Sequence, residues 1–485
     1  MKLGFRIPIV SGILDFLNFV PDSKSQDSGF HNKKFPEFRN TDCLTIIYLI
    51  SVIGKMVEHF DSYSYVDLTS DKEDDDEGTP LIRVSPGRAS VWKAVLNIIN
   101  FIEGVGFLAL PFAVAKGGIA AIAAFLFMPV IYWFTALVLV DCLYYTDGPR
   151  GKTRVRSSWR EIGQDMWPRF GGIAVTAVQC FDLTIIATSY LIVCGSLMAT
   201  AFPSLPVTET LWTCIAAIVV LPTTFLKSLS QIAWLSVIGV VALASTALMI
   251  LWYGASHSSE WDVKALLFWD TEGFLISLGI IMFSYGSAPI VPSVEESMAD
   301  KSKFGRALAF AYIVAVVFKL PFSIFGFLSF SFMTDEIVIN NLPNNVPKII
   351  VSVVFVLSCL VSFALPLHAV FQYIEGSSFY VSLQSKVRLP RFVYFSSIRL
   401  ILVSLTLLAA VFVPHFGYLT SFFGNLSLPL FNCILPCIAH LILRGKDLNM
   451  RQIALDLAMI VFGLIVAIYG TYISSKALYE VLVHK

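Results

Sequence analysis

Charge is scarce in this chain of 485 residues: Asp, Glu, Lys and Arg together make up 14% of it, against about a quarter in a soluble domain. With 56% of residues hydrophobic, the polar groups are too few to cover a folded surface in water, which excludes a soluble globule. Lipid is the solvent that fits. An excess of one sign is missing too. Lys and Arg number 34 and Asp and Glu 34, so no bulk basic balance points to nucleic acid. There is no Gly-rich phosphate loop ending in Lys-Ser/Thr, no His-Glu-x-x-His run and no Gly-x-Ser-x-Gly elbow. An ATP-driven pump is therefore not expected, nor an enzyme, nor a cofactor. The eight cysteines (Cys43, Cys142, Cys180, Cys194, Cys214, Cys359, Cys433 and Cys437) lie mostly in apolar runs without metal-type spacing. They read as small packing residues, Cys433 and Cys437 included, with no disulfide and no metal site expected. No short apolar run with a cleavage site opens the chain, so no cleaved leader is expected.

What is present is a series of long apolar runs after Ala89. Stretches such as Ala120 to Cys142 do not alternate apolar with polar, which argues for helices rather than a lipid-facing barrel. We count eleven spans, near 92–115, 118–144, 171–202, 208–226, 230–253, 273–294, 305–332, 347–371, 393–413, 417–443 and 452–475. The expected domains are a cytoplasmic, largely disordered tail over 1–89, a membrane domain over 90–476 and a short luminal tail over 477–485. The first tail contains the acidic run Asp71-Lys72-Glu73-Asp74-Asp75-Asp76-Glu77, of a kind that stays solvated. Its apolar stretch from Cys43 to Gly54 is too short to span and reads as interfacial.

Alternate breaks between spans are basic. The second holds Arg150, Lys152, Arg154, Arg156, Arg160 and Arg169. Later ones hold Lys227; Lys301, Lys303 and Arg306; Lys386, Arg388 and Arg391; and Arg444, Lys446 and Arg451. The intervening breaks hold only Lys116, Lys264 and Lys348. The positive-inside rule then predicts a cytoplasmic N-terminus and a luminal C-terminus.

Two spans carry helix-breaking residues in mid-run. Span 1 has Glu103, Gly104 and Gly106 between Asn100 and Leu108; span 6 has Phe283-Ser284-Tyr285-Gly286-Ser287-Ala288-Pro289. An unwound turn leaves N–H groups free on the following half-helix and C=O groups free on the preceding one, and the positive end suits a carboxylate. Interrupted helices five spans apart point to a binding site between inverted repeats. Close packing through small residues is the other reading of the two glycines alone.

The same residues carry a family resemblance. The run from Asn100 to Pro111 is similar to the first helix of the amino acid/auxin permease family. The stretch from Ser284 and Tyr285 through Pro292, Ser293 and Glu295 to Met298 resembles the sixth helix of the vesicular inhibitory amino acid transporters. So do Glu336 with Asn341-Leu342-Pro343, Val413-Pro414-His415-Phe416 with Gly424, and Asp456, Ile460 and Gly463 in the last helix. The resemblance covers about residues 90 to 476. It implies an all-α membrane protein with a LeuT-type 5+5 inverted repeat plus one extra helix. It also implies proton-driven exchange of GABA or glycine into synaptic vesicles. Glu103, where an uncharged polar residue is expected, and His368 depart from the family pattern and bear on the substrate more than on the fold.

Ionisable residues inside spans are costly and usually functional. Asp182 shares a helix face with Ile186 and Ser189 and reads as a proton carrier, or as a group reaching headgroups or Arg169. Glu103 reads as a proton or amine ligand, or as a cap. Lys319 in mid-span is expected to pair with Asp182, Glu103 or Glu295. The proton-coupling set is thus Asp182, Glu103 and Lys319. The substrate set is Asn100, Gly104, Gly106, Leu108, Phe283, Ser284, Tyr285 and Gly286: substrate carboxylate on N–H groups near Gly104 to Leu108, amine on carbonyls near Phe283 to Gly286, Tyr285 closing one wall. Asn97 and Asn100 suit pocket or interhelix hydrogen bonds, and His368 a packing role. Arg399 reads as an interface anchor, Glu295 and Glu296 as a gate or a solvated end, and Asp456 as a solvated helix end. Beyond the substrate, protons and the bilayer, the expected partners are cytoplasmic sorting factors of the N-terminal tail. A proton-coupled symporter of lysosome or plasma membrane, and a non-transporting sensor, are the rival functions.

Overall fold

A computed structural model describes residues 89–146, 152–225, 236–261, 266, 269–375 and 391–483, all within one compact unit. The stretch from Cys43 to Gly54, the acidic run, and Arg150, Lys227, Lys264, Lys386 and Arg388 lie outside these residues.

The first span begins with α1 (Val91–Ile102), whose N-cap Ser90 accepts from the Lys93 N–H. It stops because Glu103 (φ −87°, ψ 49°) and Gly104 (φ −88°, ψ −163°) leave helical geometry. A 3-10 turn over Val105–Ala109 leads into α2 (Leu110–Asp141). Within α2 the chain turns at Gly118 (φ 56°, ψ −137°), a backbone state open to glycine. The loop expected between spans 1 and 2 is therefore a one-residue corner.

The next break is not a plain loop. Strand β1 (Tyr144–Thr146) pairs antiparallel with β2 (Lys152–Arg154), and a short helix α3 (Trp159–Met166) follows. Spans 3, 4 and 5 are α4 (Gly171–Ala201), α5 (Glu209–Val220) and α6 (Ser236–Ser256). Span 6 is split into α7 (Thr271–Tyr285) and α8 (Val291–Ser297), with Gly286 at φ −57°, ψ 123° between them. Then come α9 (Phe304–Phe330), the continuous pair α10 (Val346–Ser362) and α11 (Ala364–Glu375), and α12 (Arg391–Phe412). Span 10 joins α13 (Phe416–Leu426) to α14 (Leu435–Arg444) through a π-turn at Leu430–Ile434. Span 11 joins α15 (Met450–Ile465) to α16 (Thr471–Val483) through a second π-turn. The helix continues to Val483, past the boundary expected at 477.

Nine helices among the described residues are long and apolar enough to cross a bilayer; α1 and the segment Glu209–Phe225 are shorter apolar helices. The corner at Gly118 divides the longest of the nine, so segments for eleven crossings are in place. Burial sorts them. The broken sixth span is 67% buried, whereas spans 5, 9 and 11 are each 22% buried and stand at the outside of the bundle. At the centre α7 packs against α2 and α13. The crossing of α7 and α13 needs glycines on both sides: a Cβ on Gly424 would lie 1.9 Å from the Gly279 carbonyl oxygen.

Two expectations about charge are overturned. Arg399 does not anchor at an interface. It is buried, donates to the Thr224 carbonyl (3.0 Å) and pairs with Glu375 (2.7 Å), because burying a guanidinium requires its donors to be met internally. Asp456 is not a solvated helix end but fully buried against His440 (2.7 Å).

Candidate functional site

The two helix breaks meet at one side chain. Lys319, from the middle of α9, is fully buried. Its ammonium donates to the Ile102 carbonyl (2.8 Å), the Ser284 carbonyl (2.6 Å) and the Ser284 hydroxyl (2.8 Å). Ile102 ends α1 and Ser284 lies one residue before the end of α7, so these oxygens belong to the negative ends of two half-helices. Glu103 stands 3.9 Å away as counter-charge, and the Tyr285 ring lies 4.5 Å beneath the ammonium. Of the three carboxylates expected as its partner, Lys319 pairs with Glu103. The breaks also touch directly: a Cβ on Gly106 would lie 2.9 Å from Phe283 Cδ1.

The start of the second half of span 6 is held from span 10. Asn432, in the first π-turn, accepts at Oδ1 from the N–H of Ser287 (3.3 Å) and of Ala288 (3.1 Å). In a continuous helix the Ser287 N–H would bond to the Phe283 carbonyl. Here it turns away, and that carbonyl loses its helical donor.

Beside this junction is a small cavity of about 30 Å³ lined by residues that include Phe101, Asp182, Phe283, Gly286, Phe423 and Asn432. Asp182 is buried, with the Ser427 hydroxyl beside its carboxylate. Ser427, on the same cavity, is also 3.1 Å from the Phe423 carbonyl one turn before it. A cavity of roughly 150 Å³ takes up benzene, and one near the size of a single probe sphere takes up water. The space as it stands admits a water and no amino acid.

The arrangement matches known proteins in sequence and in fold. The family model of the transmembrane amino acid transporter protein matches residues 87–476. The vesicular inhibitory amino acid transporters of Rattus norvegicus and Homo sapiens are each 31% identical to this chain over 406 residues, covering 81% of it and 77% of their own length. The chain is a member of the transmembrane amino acid transporter family. The vesicular GABA transporter of Caenorhabditis elegans is 30% identical over 397 residues, covering 80% of each chain. Among solved structures, the inward-facing conformation of Mhp1 aligns with a TM-score of 0.52 at 13% identity, covering 82% of this chain and 93% of that one. The fold is of the LeuT type.

Within this family member, the structure brings together some residues singled out in the sequence and separates others. Asp182, Ile186, Phe283 and Gly286 line the cavity. Glu103, Ser284, Tyr285 and Lys319 form the polar knot beside it. Tyr285 is buried on the Lys319 ammonium rather than walling the cavity. Gly104, Gly106 and Leu108 form the first break but do not line the cavity. Asn97 and Asn100 are on the exposed face of α1. His368 meets Gln372 (3.2 Å) one turn along its own helix. Two residues of weight escaped the sequence reading. Asn432 looks like any polar residue in an apolar run, and Phe101 like any core aromatic; their positions depend on the π-turn and on the break.

Glu295 is neither solvated nor bare. It is fully buried in α8, where the Tyr144 hydroxyl donates to it and Arg154 Nε lies 3.3 Å away. Arg154 also reaches Glu296 (3.2 Å) and the Pro292 carbonyl (3.2 Å), while Trp159 donates to the Ala288 carbonyl (2.8 Å). The hairpin and α3 thus clamp the second half of span 6. We refer to this as the hairpin end.

Proposed function

We propose that this transporter moves a small neutral amino acid, GABA or glycine, into an acidic vesicle in exchange for protons. The observation that carries the reading is Asp182: a buried carboxylate that forms no ion pair among the described residues, with the Ser427 hydroxyl beside it, on a cavity that reaches the break in span 6. An anion so placed is costly. A proton relieves it in the closed form, and water relieves it once the site opens. Proton binding and opening are thereby linked.

The substrate carboxylate meets the N–H groups that open the second half of span 1, from Gly104 to Leu108. Its amine meets the Phe283 carbonyl, since the Ser284 carbonyl is already held by Lys319. Lys319 and Glu103 keep the two breaks in register as an internally neutral pair. The hairpin end faces the cytoplasm, in keeping with the basic residues there, and vesicle localisation follows that of the vesicular transporters it is similar to.

The test is Asp182→Asn in reconstituted vesicles with an acid interior. The variant is expected to lose at least about tenfold of gradient-driven uptake while retaining exchange of labelled for unlabelled substrate with no gradient. Unchanged gradient-driven uptake would overturn the assignment. Uptake that requires protons to move with the substrate would favour symport.

A further inference from the structure

A second buried titratable cluster sits at the hairpin end, away from the cavity. His440, in α14, is 4% exposed and stands between two carboxylates. Its Nδ1 lies 2.7 Å from Asp456 Oδ2 on α15, and its Nε2 lies 3.5 Å from Asp141 Oδ2 at the end of α2. Arg444 Nε lies 3.3 Å from the same Asp141 oxygen. The thiols of Cys142 and Cys437 border the group. We propose that His440 is a proton-binding site of its own, reached through Asp141, and that its proton steadies the closed hairpin end.

Three observations support this. First, a ring with one nitrogen 2.7 Å from a carboxylate oxygen and the other 3.5 Å from a second suits the imidazolium, which has an N–H to turn toward each. Second, the charges then cancel: Asp141 and Asp456 against His440 and Arg444. Without the ring proton, a buried net negative charge and a lone pair facing a carboxylate remain. Third, there is a route to water. Asp456 is fully buried, whereas the Asp141 side chain is 23% exposed.

The cluster is connected to the moving part. Arg444 Nη1 donates to the Tyr144 carbonyl (3.4 Å), and the Tyr144 hydroxyl donates to Glu295 in α8, which Arg154 also holds. Loss of the His440 proton leaves Asp141 competing harder for Arg444 and loosens the strap over the second half of span 6. Since coupling between sites is reciprocal, opening the hairpin end favours proton release, and a proton favours closure.

The experiment uses the full chain and His440→Gln, which keeps polar contacts but cannot ionise. Hydrogen exchange is followed over 291–298 and 435–460, corrected for intrinsic rate, at about pH 6 and about pH 9. Wild type is expected to lose protection at the higher pH by about tenfold in opening equilibrium, with the variant equally open at both. In vesicles with no gradient, the dependence of labelled-for-unlabelled substrate exchange on hairpin-side pH should flatten in the variant and persist in wild type. If His440→Gln does not fold, His440→Asn, which is also polar and cannot ionise, is read the same way. Equal pH response of exchange in wild type and variant overturns the proposal, and this readout stands whether or not the vesicle takes up GABA or glycine.

Discussion

Lys319 decides more than any other single residue here. Its three donors go to three oxygens at the broken ends of two half-helices, and it brings the balancing charge for Glu103. Removing one partner of a buried pair costs about 3–5 kcal/mol, because the other charge is stranded. Lys319→Ala is therefore expected to lose transport and to lower the melting temperature in detergent by several degrees. The double variant Lys319→Ala with Glu103→Ala recovers stability but not transport; a double variant no more stable than the single one contradicts the pairing. Part of this was legible in the sequence. A lysine in mid-span must find a partner, and Glu103 was among the candidates. That its main ligands are backbone carbonyls was not legible, because these oxygens are exposed only once both helices break, and the breaks are brought side by side by packing far away in sequence. Asp456 was misread for a related reason. Its place at a helix start suggested solvent, and only the approach of α14 with His440 closes it in.

At the scale of elements, the glycines and Asn432 determine where helices stop and how closely they pass. Gly104 and the cluster around Gly286 marked both breaks correctly, since their conformational freedom is a local property. The hairpin with α3 was not legible, since a six-residue basic content looks like a loop until Arg154 finds Glu295. Gly424→Ala is expected to destabilise the chain by about 1–3 kcal/mol, because the new methyl meets backbone of α7 rather than a side chain that can move aside. A thermal shift in detergent reads this, and no shift contradicts the close crossing. The turn entering α9 offers a pH test. Asp300 pairs with Lys303 (2.7 Å) and accepts from Ser302, which holds its carboxyl below the usual range. A carboxyl lowered on folding contributes stability above its unfolded value near 4, lost as pH falls through the lowered one. Amide protection at Ser302 should therefore hold at about pH 6 and fail only well below pH 4; failure at pH 6 contradicts the pairing.

For the whole molecule, the cavity of about 30 Å³ beside the two broken helices is too small for an amino acid, so the proposed function requires the bundle to open there. Fold class and span order were readable from hydropathy and from the breaks, because a bilayer leaves helices few alternatives; the family was readable through the resemblance carried by runs such as Asn100 to Pro111 and Ser284 to Met298. The cavity was not, since it is bounded by four spans, the first, third, sixth and tenth, whose mutual placement no local pattern records. The most direct test of the account is uptake of labelled GABA and glycine by sealed vesicles of the purified chain with an acid interior. The account predicts accumulation that collapses when a protonophore dissipates the gradient. Uptake indifferent to the gradient, or binding with no accumulation at all, would contradict it.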